Sequence, residues 1–247
     1  APTFLLSTEI SSIYSQGGKV RRIHNVVLAP SIGTVEKINN ELIKRGCNLH
    51  SDGRPIIGIP AKDLVKIILE IDQRCLIIPA HAWTPWFSLY GSQSGFDSLE
   101  ECFGEMAKYI YGVETGLSSD PAMNWRIADL ENRSLLSNSD AHSGPKLGRE
   151  ATVFEMEEMN YKNIRQAIVN GCHSERSEES PANAGALLGQ AKRSLDFARD
   201  DRKNRISHTL EFYPEEGKYH YTGHRACNVK QTPEETKRVG ETCSVCG

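Results

Sequence analysis

The sequence predicts an α/β fold, a parallel sheet or a barrel, followed by a small cysteine-rich module. Three observations carry that prediction. Apolar strand-like runs alternate with helical segments along most of the chain. Carboxylates and imidazoles stand where those runs begin or end: Glu9, His24, His81, Asp140 and His142. The last two dozen residues place histidine and cysteine at metal-ligand spacing.

The elements follow in order. Residues 3–8 read as a buried strand. After a Gly-Gly turn, residues 19–30 hold a basic stretch and a strand through Val26, Val27 and Leu28. Thr34 is placed to cap a helix from Val35 to Arg45. Pro60-Ala-Lys-Asp opens a helix with Leu64, Ile67, Ile68 and Ile71 on one face. Cys75 to Ala80 is a continuous apolar run, as in a strand covered on both sides. A helix over residues 98–109, a strand over 110–115, a helix over 121–131, a strand over 134–139 and a helix over 161–170 complete the alternation. A last strand spans 206–213. Active sites of such folds gather at the C-terminal ends of strands.

The 247 residues suit one large domain with a small appendage, and 38% hydrophobic with 25% charged residues is ordinary for a globular chain. A net charge of −3 leaves nucleic-acid binding to a local basic face. No apolar run approaches the roughly 20 residues of a membrane helix, and no leader pattern opens the chain. No membrane partner is therefore predicted. Seven cysteines, an odd count with three clustered at the end, predict a reducing, cytoplasmic setting rather than a disulfide framework. The chain opens on a core-like strand without a start methionine, which predicts that an N-terminal portion is missing.

Residues 172–205 interrupt the pattern. They are polar, mixed in charge and poor in aromatics, and look like the translation of an interspersed bacterial DNA repeat. A disordered insertion is expected there. The predicted domains are therefore 1–171, the insertion 172–205, and 206–247 with the last strand and the metal-binding module.

Oxygen and nitrogen ligands at strand ends suit zinc, manganese or iron; the expected cofactors are divalent zinc, manganese or magnesium in this site and a structural zinc in the tail. An isolated Asp-x-His such as Asp140-Ala-His142 fits a capped turn equally well; with Glu9, His24 and His81 at matching ends it reads as part of a metal site. More than three such groups points to two or more metals, hence to hydrolysis of phosphate esters. The loop after His81 carries Trp83, Trp86, Phe87, Tyr90 and Phe96. These rings form the loop's own small core, a platform on which an extruded base stacks, or both in part. Arg54, in the turn Asp52-Gly-Arg-Pro, is a phosphate or base-edge contact or an ordinary turn ion pair. Lys146 and Arg149 neutralise phosphate or form a solvated pair. Lys19, Arg21 and Arg22 make the dense basic patch near a ligand strand. Glu114 and Asp120 lie near another strand end, where capping is the simpler role.

His224-x2-Cys227, fifteen residues, then Cys243-x2-Cys246 fits a structural zinc ribbon with one histidine in place of a cysteine. His220 is a rival fourth ligand.

Thr8-Glu9-Ile-Ser, His24, Pro79-Ala-His81 and Ser139-Asp140-Ala-His142, in that order, resemble the PHP (polymerase and histidinol phosphatase) superfamily of metal-dependent phosphoesterases. Within it, the chain is similar to the endonuclease Q repair nucleases. Asn48-Leu-His-Ser-Asp-Gly-Arg-Pro, His81-Ala-Trp-Thr-Pro-Trp-Phe-Ser, Val113-Glu-Thr-Gly-Leu-Ser-Ser-Asp-Pro and Gly223-His-Arg-Ala-Cys carry that likeness, which covers 1–171 and 206–247. The resemblance implies a distorted (β/α) barrel of PHP type, incomplete because the family's opening His-x-His strand has no counterpart. It implies Glu9 as a metal bridge, with His24, His81, Asp140 and His142 as terminal ligands. Glu9, His81, Asp140 and His142 form the expected catalytic set; Arg54, Trp83, Trp86, Phe87, Lys146 and Arg149 form the expected substrate contacts. The implied activity is cleavage of DNA 5′ of a deaminated base or an abasic site. The tail module would help to hold DNA, and a sliding clamp is a further expected partner. A PHP-type phosphatase of a small monoester and a non-catalytic DNA-binding remnant are the alternatives.

Overall fold

The computed structural model describes residues 3–50, 54–172, 204–213, 222–240 and 242–247. Its centre is a long antiparallel hairpin. Strand β1 (Ser7–Gln16) pairs with β2 (Lys19–Leu28) along its whole length, from Ser7 opposite Leu28 to Gln16 opposite Lys19. Gly17 at φ +60° and Gly18 at φ +73° supply the two left-handed positions of the connecting turn. The short β3 (Ile56–Ile57) adds parallel to β1, and β4 (Leu76–Pro79) adds antiparallel to β2, giving the order β3-β1-β2-β4.

Strand alternation divides the hairpin into two faces. Ile10, Ile23 and Val27 face a core completed by Ile38 and Leu42 of α1 (Ile32–Lys44) and by Leu64, Val65 and Ile68 of α2 (Ala61–Ile71). The opposite face carries Val26 and Leu28, which join Leu76, Ile78, Leu136 and Ile168 in a second apolar cluster. His24 shares this second face, two residues before Val26, and Glu9 stands directly opposite Val26. The candidate site thus sits on the same side of the sheet as the smaller core.

Beyond β4 the chain runs through α3 (Leu99–Phe103) and a 3₁₀ turn over Gly104–Tyr109 to β5 (Gly112–Glu114). It then passes α4 (Pro121–Asn124) to β6 (Ser134–Leu136), which pairs in parallel with β5. Ala82 donates to the Glu114 carbonyl at 3.0 Å, so β5 lies beside the exit of β4. β7 (Ala151–Glu155) follows and pairs antiparallel with β8 (Arg205–Leu210), with a register shift at Val153/Phe154. The helix α5 (Tyr161–Cys172) covers this end; its Ile168 carbonyl accepts from the Ser134 hydroxyl at 2.7 Å. A small unit of β9 (Thr222–His224), β10 (Val229–Gln231) and α6 (Pro233–Val239) closes the chain.

The mixed α/β class is as the sequence predicts. Among the described residues the strands form one four-stranded and three two-stranded sheets, with no closed barrel. The hairpin also departs from the parallel expectation. The strand expected over 3–8 starts four residues later, because Phe4, Leu5 and Leu6 are exposed and the serine-rich stretch after them pairs with β2. Ser31, not Thr34, caps α1; its Oγ accepts the Thr34 N–H at 3.2 Å. The helix expected over 98–109 changes type at Gly104, whose φ of +53° ends the α-helical turn. The strands β3 and β7 have no counterpart in the sequence reading. The expected insertion lies outside the described residues between 173 and 203, as do His173, Asp52 and His220. No helix among the described residues is long and apolar enough to cross a membrane.

Candidate metal centre

Glu9, His24 and His81 come together from β1, β2 and the end of β4, with one ligand atom from each lying within 4.8 Å of the others. His24 Nδ1 is 2.9 Å from Glu9 Oε1 and 3.2 Å from His81 Nε2. Both imidazoles are buried, whereas the Glu9 side chain is 22% exposed, so the group opens to solvent on the carboxylate side.

The local chain explains each placement. His24 is fixed by the sheet: its N–H donates to the Phe87 carbonyl at 2.9 Å and its carbonyl accepts from Ala80 at 3.0 Å. Its ring rests on Phe87, centroid to centroid 4.7 Å. Its Nε2 is buried without a hydrogen-bond partner. His81 ends the β4 run in the left-handed region at φ +31°. Its N–H donates to Glu114 Oε2 at 2.6 Å, and its Nδ1 lies 3.1 Å from the Thr84 hydroxyl.

Burial first, then the neighbouring His24, pushes the His81 imidazole below its ordinary value, toward the neutral form that metals bind. Burial works to raise Glu9, but His24, His81 and Arg54 outweigh it and bring its carboxyl down to about 2. Glu114 is the reverse case: burial pushes it up to about 7 despite two donors. A charged carboxylate beside two imidazoles and an orphaned ring nitrogen fits a divalent cation. Two nitrogens in the set favour zinc or manganese over magnesium.

Of the five expected ligands, the structure gathers three. Asp140 stands at φ +44° in the loop after β6; its charge acts on His81, but it is outside the tight group. The His142 side chain is 72% exposed and turns back on its own loop, with Nδ1 3.0 Å from the Asp140 carbonyl. Arg149 braces that loop, donating to the carbonyls of Ser139 at 2.7 Å and Asp140 at 3.1 Å.

The expected substrate contacts divide in the same way. Arg54 donates to Glu9 Oε1 at 2.9 Å. Trp83 is stacked on Tyr90 and donates to Asn124 at 2.8 Å, and Phe96 is fully buried, so these rings pack the loop itself. Trp86 is 47% exposed and Phe87 covers His24. Lys146 is exposed on a 3₁₀ turn. Asp120 caps α4 through the Met123 N–H at 2.7 Å.

Two residues noted in the sequence lie closer to the centre than their sequence reading implies. Glu114 looks like a capping acid but is 3% exposed and tied to His81. Arg22 lies over the Trp86 ring at 4.8 Å and has no acid partner among the described residues. Its neighbour Arg21, by contrast, is buried and paired with Glu101 at 2.8 Å. Period-two alternation was the available signal, because Arg22 and His24 share a strand face.

In the tail, His224, Cys227, Cys243 and Cys246 bring their ligand atoms within 4.8 Å of one another. Cys246 Sγ is 3.3 Å from His224 Nδ1. Backbone N–H groups of Cys246 and Val245 pull the Cys243 thiol down to about 6, so that it is largely thiolate near neutral pH. Lost solvation and the other two thiols push Cys227 up to about 11. A bound cation is the natural resolution of so many thiols in one place.

No protein-family model matches the chain. The chain is 31% identical to the uncharacterized protein YqxK of Bacillus subtilis, over 99% of its own length and 52% of that protein's. It is 30% identical to an uncharacterized protein of Methanocaldococcus jannaschii, over 68% of this chain and 17% of that one. Among solved structures it is similar to the lesion-specific endonuclease PfuEndoQ of Pyrococcus furiosus, with a TM-score of 0.63 and 30% identity over 91% of this chain and 48% of that one. It is similar also to an endonuclease Q in complex with a 27-mer duplex bearing an abasic lesion at the active site, with a TM-score of 0.65 and 29% identity over 97% of this chain and 50% of that one. The likeness to endonuclease Q read from the sequence therefore holds in three dimensions. The chain spans about half the length of YqxK and of these structures.

Proposed function

We propose that the chain is the metal-dependent hydrolytic part of a DNA-repair endonuclease of the endonuclease Q kind, acting on DNA 5′ of deaminated bases or abasic sites. The observation that carries this reading is the convergence of Glu9, His24 and His81, within 4.8 Å, beside the exposed Trp86 ring and Arg22, which has no acid partner among the described residues. The similarity to a structure that holds lesion-containing duplex supports DNA as the ligand.

A metal held by Glu9, His24 and His81 would polarise the scissile phosphate and bring a bound water's pKa to about 7. The chain's own groups supply the rest. Glu9 stays ionised at neutral pH, and His81 offers a neutral ring nitrogen. Arg54, which donates to Glu9, would be free to turn to a phosphate once a metal takes up the Glu9 carboxylate. Trp86, held under Arg22, offers a face to an extruded base. Asp140, whose charge acts on His81, would serve as a further ligand, and His142 would need a movement of its loop to join it.

The same proposal takes in a distorted barrel of PHP type, a zinc ribbon in the tail, and the three-part division at 172 and 205. It takes in a cytoplasmic setting as well. The neighbours support DNA as the partner and give the sliding clamp no support.

A second reading, a DNA-binding remnant without catalysis, is favoured by one observation: His142 faces away and the tight group numbers three. Incubating the chain with duplex containing uracil or an abasic site, with manganese or zinc, beside an undamaged control, separates the two. Nicking of the damaged strand alone supports the nuclease; binding without nicking supports the remnant; turnover of a simple phosphomonoester without nicking points to a phosphatase.

A further inference from the structure

We propose that Glu114 is a positioning residue for the metal centre, holding His81 in its ligating pose and tying that pose to the loop of Asp140. The inference rests on the metal-centre reading above and assigns a role to a residue outside the ligand set.

Both carboxylate oxygens of Glu114 are engaged. Oε2 accepts the His81 N–H at 2.6 Å and Oε1 accepts from Asn138 Nδ2 at 2.8 Å. Its backbone carbonyl accepts the Ala82 N–H at 3.0 Å. One residue therefore satisfies two consecutive backbone donors directly after β4. The first of them belongs to a residue at φ +31°, a region that costs about 1–3 kcal/mol for a non-glycine side chain and persists only where the surroundings enforce it. Gly116, at φ +68°, completes the enforcement: a Cβ at this position would stand 2.8 Å from the Cα and Cβ of His81. The end of β5 is thus a mould for the His81 backbone.

Asn138 gives the second half of the role. It lies two residues before Asp140, which is also left-handed at φ +44°. Through Asn138, the Glu114 carboxylate bridges the two loops that carry His81 and Asp140. No cation pairs with Glu114 among the described residues, although it is 3% exposed. A buried carboxylate with neutral donors only is costly to keep for stability alone. Positioning a metal ligand is the gain that offsets the cost, as outer groups around metal sites do.

The test is metal loading of the whole chain, titrated with zinc and with cobalt(II). The thiolate charge-transfer bands of cobalt report the tail, and the weaker visible bands report the Glu9, His24 and His81 centre. Glu114→Ala is expected to weaken metal binding at that centre by about 10–100-fold while leaving the tail loaded. Glu114→Gln, which keeps an oxygen for the His81 N–H, is expected to restore most of the affinity. Parent-level binding in a folded Glu114→Ala chain overturns the proposal, as does a Gln variant as weak as Ala. If Glu114→Ala does not fold, Glu114→Asp decides: it keeps the charge but withdraws both oxygens by one methylene. Weak binding is then expected, and parent-level binding overturns the role. A parent chain that loads metal in the tail alone removes the centre itself, a failure of the underlying reading that takes this proposal with it.

Discussion

His24 and His81 meet edge to face, Nδ1 to Nε2 at 3.2 Å with ring centroids 5.2 Å apart. Two buried imidazoles at this distance cannot both present a proton to each other, so at least one offers a lone pair. With the Glu9 carboxylate 2.9 Å away, a cation between them would satisfy all three groups at once. His81→Ala removes one of the three. The variant should lose metal from this centre and keep any metal held in the tail, because His224 and the three cysteines form a group that shares no residue with Glu9, His24 and His81. Metal analysis of the purified chain checks this, and equal metal content in parent and variant rules out the centre.

Two glycines separate the mould around His81 from ordinary turn chemistry. Gly116 and Gly148 both have positive φ, +68° and +74°, but a Cβ on Gly148 would meet nothing within 4 Å. Gly148→Ala should therefore cost only the left-handed penalty, about 1–2 kcal/mol. Gly116→Ala adds a backbone clash with His81 and should cost at least about 1 kcal/mol more. It should also weaken metal binding, which Gly148→Ala should not. Urea melts of both chains in chelator, then metal titrations, give the comparison; equal costs would show that β5 does not press on His81.

Much of this was legible in the sequence, and the gaps have physical causes. α2 was read closely because Leu64, Ile67 and Ile68 recur at helical spacing and are all buried. The ligands of the tight group were legible because they interrupt or end apolar runs. The hairpin was not, because β1 buries Ser11 and Ser12 beside Ile10, and serine masks a strand's alternation. Phe4, Leu5 and Leu6 pointed the other way, reading as core although they are exposed. Glu114 reads as a cap because a lone acid after a short strand has no spacing signature; its contact with the His81 N–H exists only in the folded chain. Which arginine of the Arg21-Arg22 pair faces the site was readable from strand alternation.

Glu150 gives a pH dependence away from the metal centre. It is 2% exposed; its Oε1 accepts the Phe212 N–H at 3.1 Å, and its Oε2 has no partner. Glu211, also raised by burial, leaves its own Oε1 unpartnered. Burial pushes the Glu150 carboxyl up to about 7, with the Glu211 charge adding to the shift. A carboxyl raised on folding favours its protonated form. Its stabilisation is complete below about 4.5 and is lost as pH rises through about 7. Glu150→Gln should remove this loss, gaining up to about 3 kcal/mol on the parent between pH 5 and 8. Glu114 and Glu211 titrate in the same direction, so the slope should shrink and not vanish. Urea unfolding at both pH values checks this; parallel pH profiles for parent and variant would exclude Glu150 as a source.

The Arg22–Trp86 pair predicts how the chain would grip DNA. The guanidinium lies 4.8 Å from the Trp86 ring centre and 5.7 Å from that of Phe87, which covers His24 of the candidate centre. Held on two rings and facing no acid among the described residues, it keeps its charge available at the edge of the centre, where a backbone phosphate would pass. Trp86, 47% exposed, keeps one part of its ring open for stacking. The two residues should then fail differently. Arg22→Ala should weaken binding to damaged and undamaged duplex alike and lower the slope of log affinity against log salt by about 0.9, the value for one phosphate contact. Trp86→Ala should leave the slope unchanged and cost about 1–3 kcal/mol on duplex with an extrudable base. Its effect on duplex without a lesion should be smaller, since only an extruded base reaches the ring. Arg149→Ala is the contrast: its guanidinium braces the Asp140 loop, so its loss should disturb metal binding and leave the salt slope of metal-free binding intact. Salt titrations of all three variants on abasic and intact duplexes settle the assignment. An unchanged slope in Arg22→Ala would remove Arg22 from the DNA path, and a Trp86→Ala loss equal on both duplexes would make that ring a packing element.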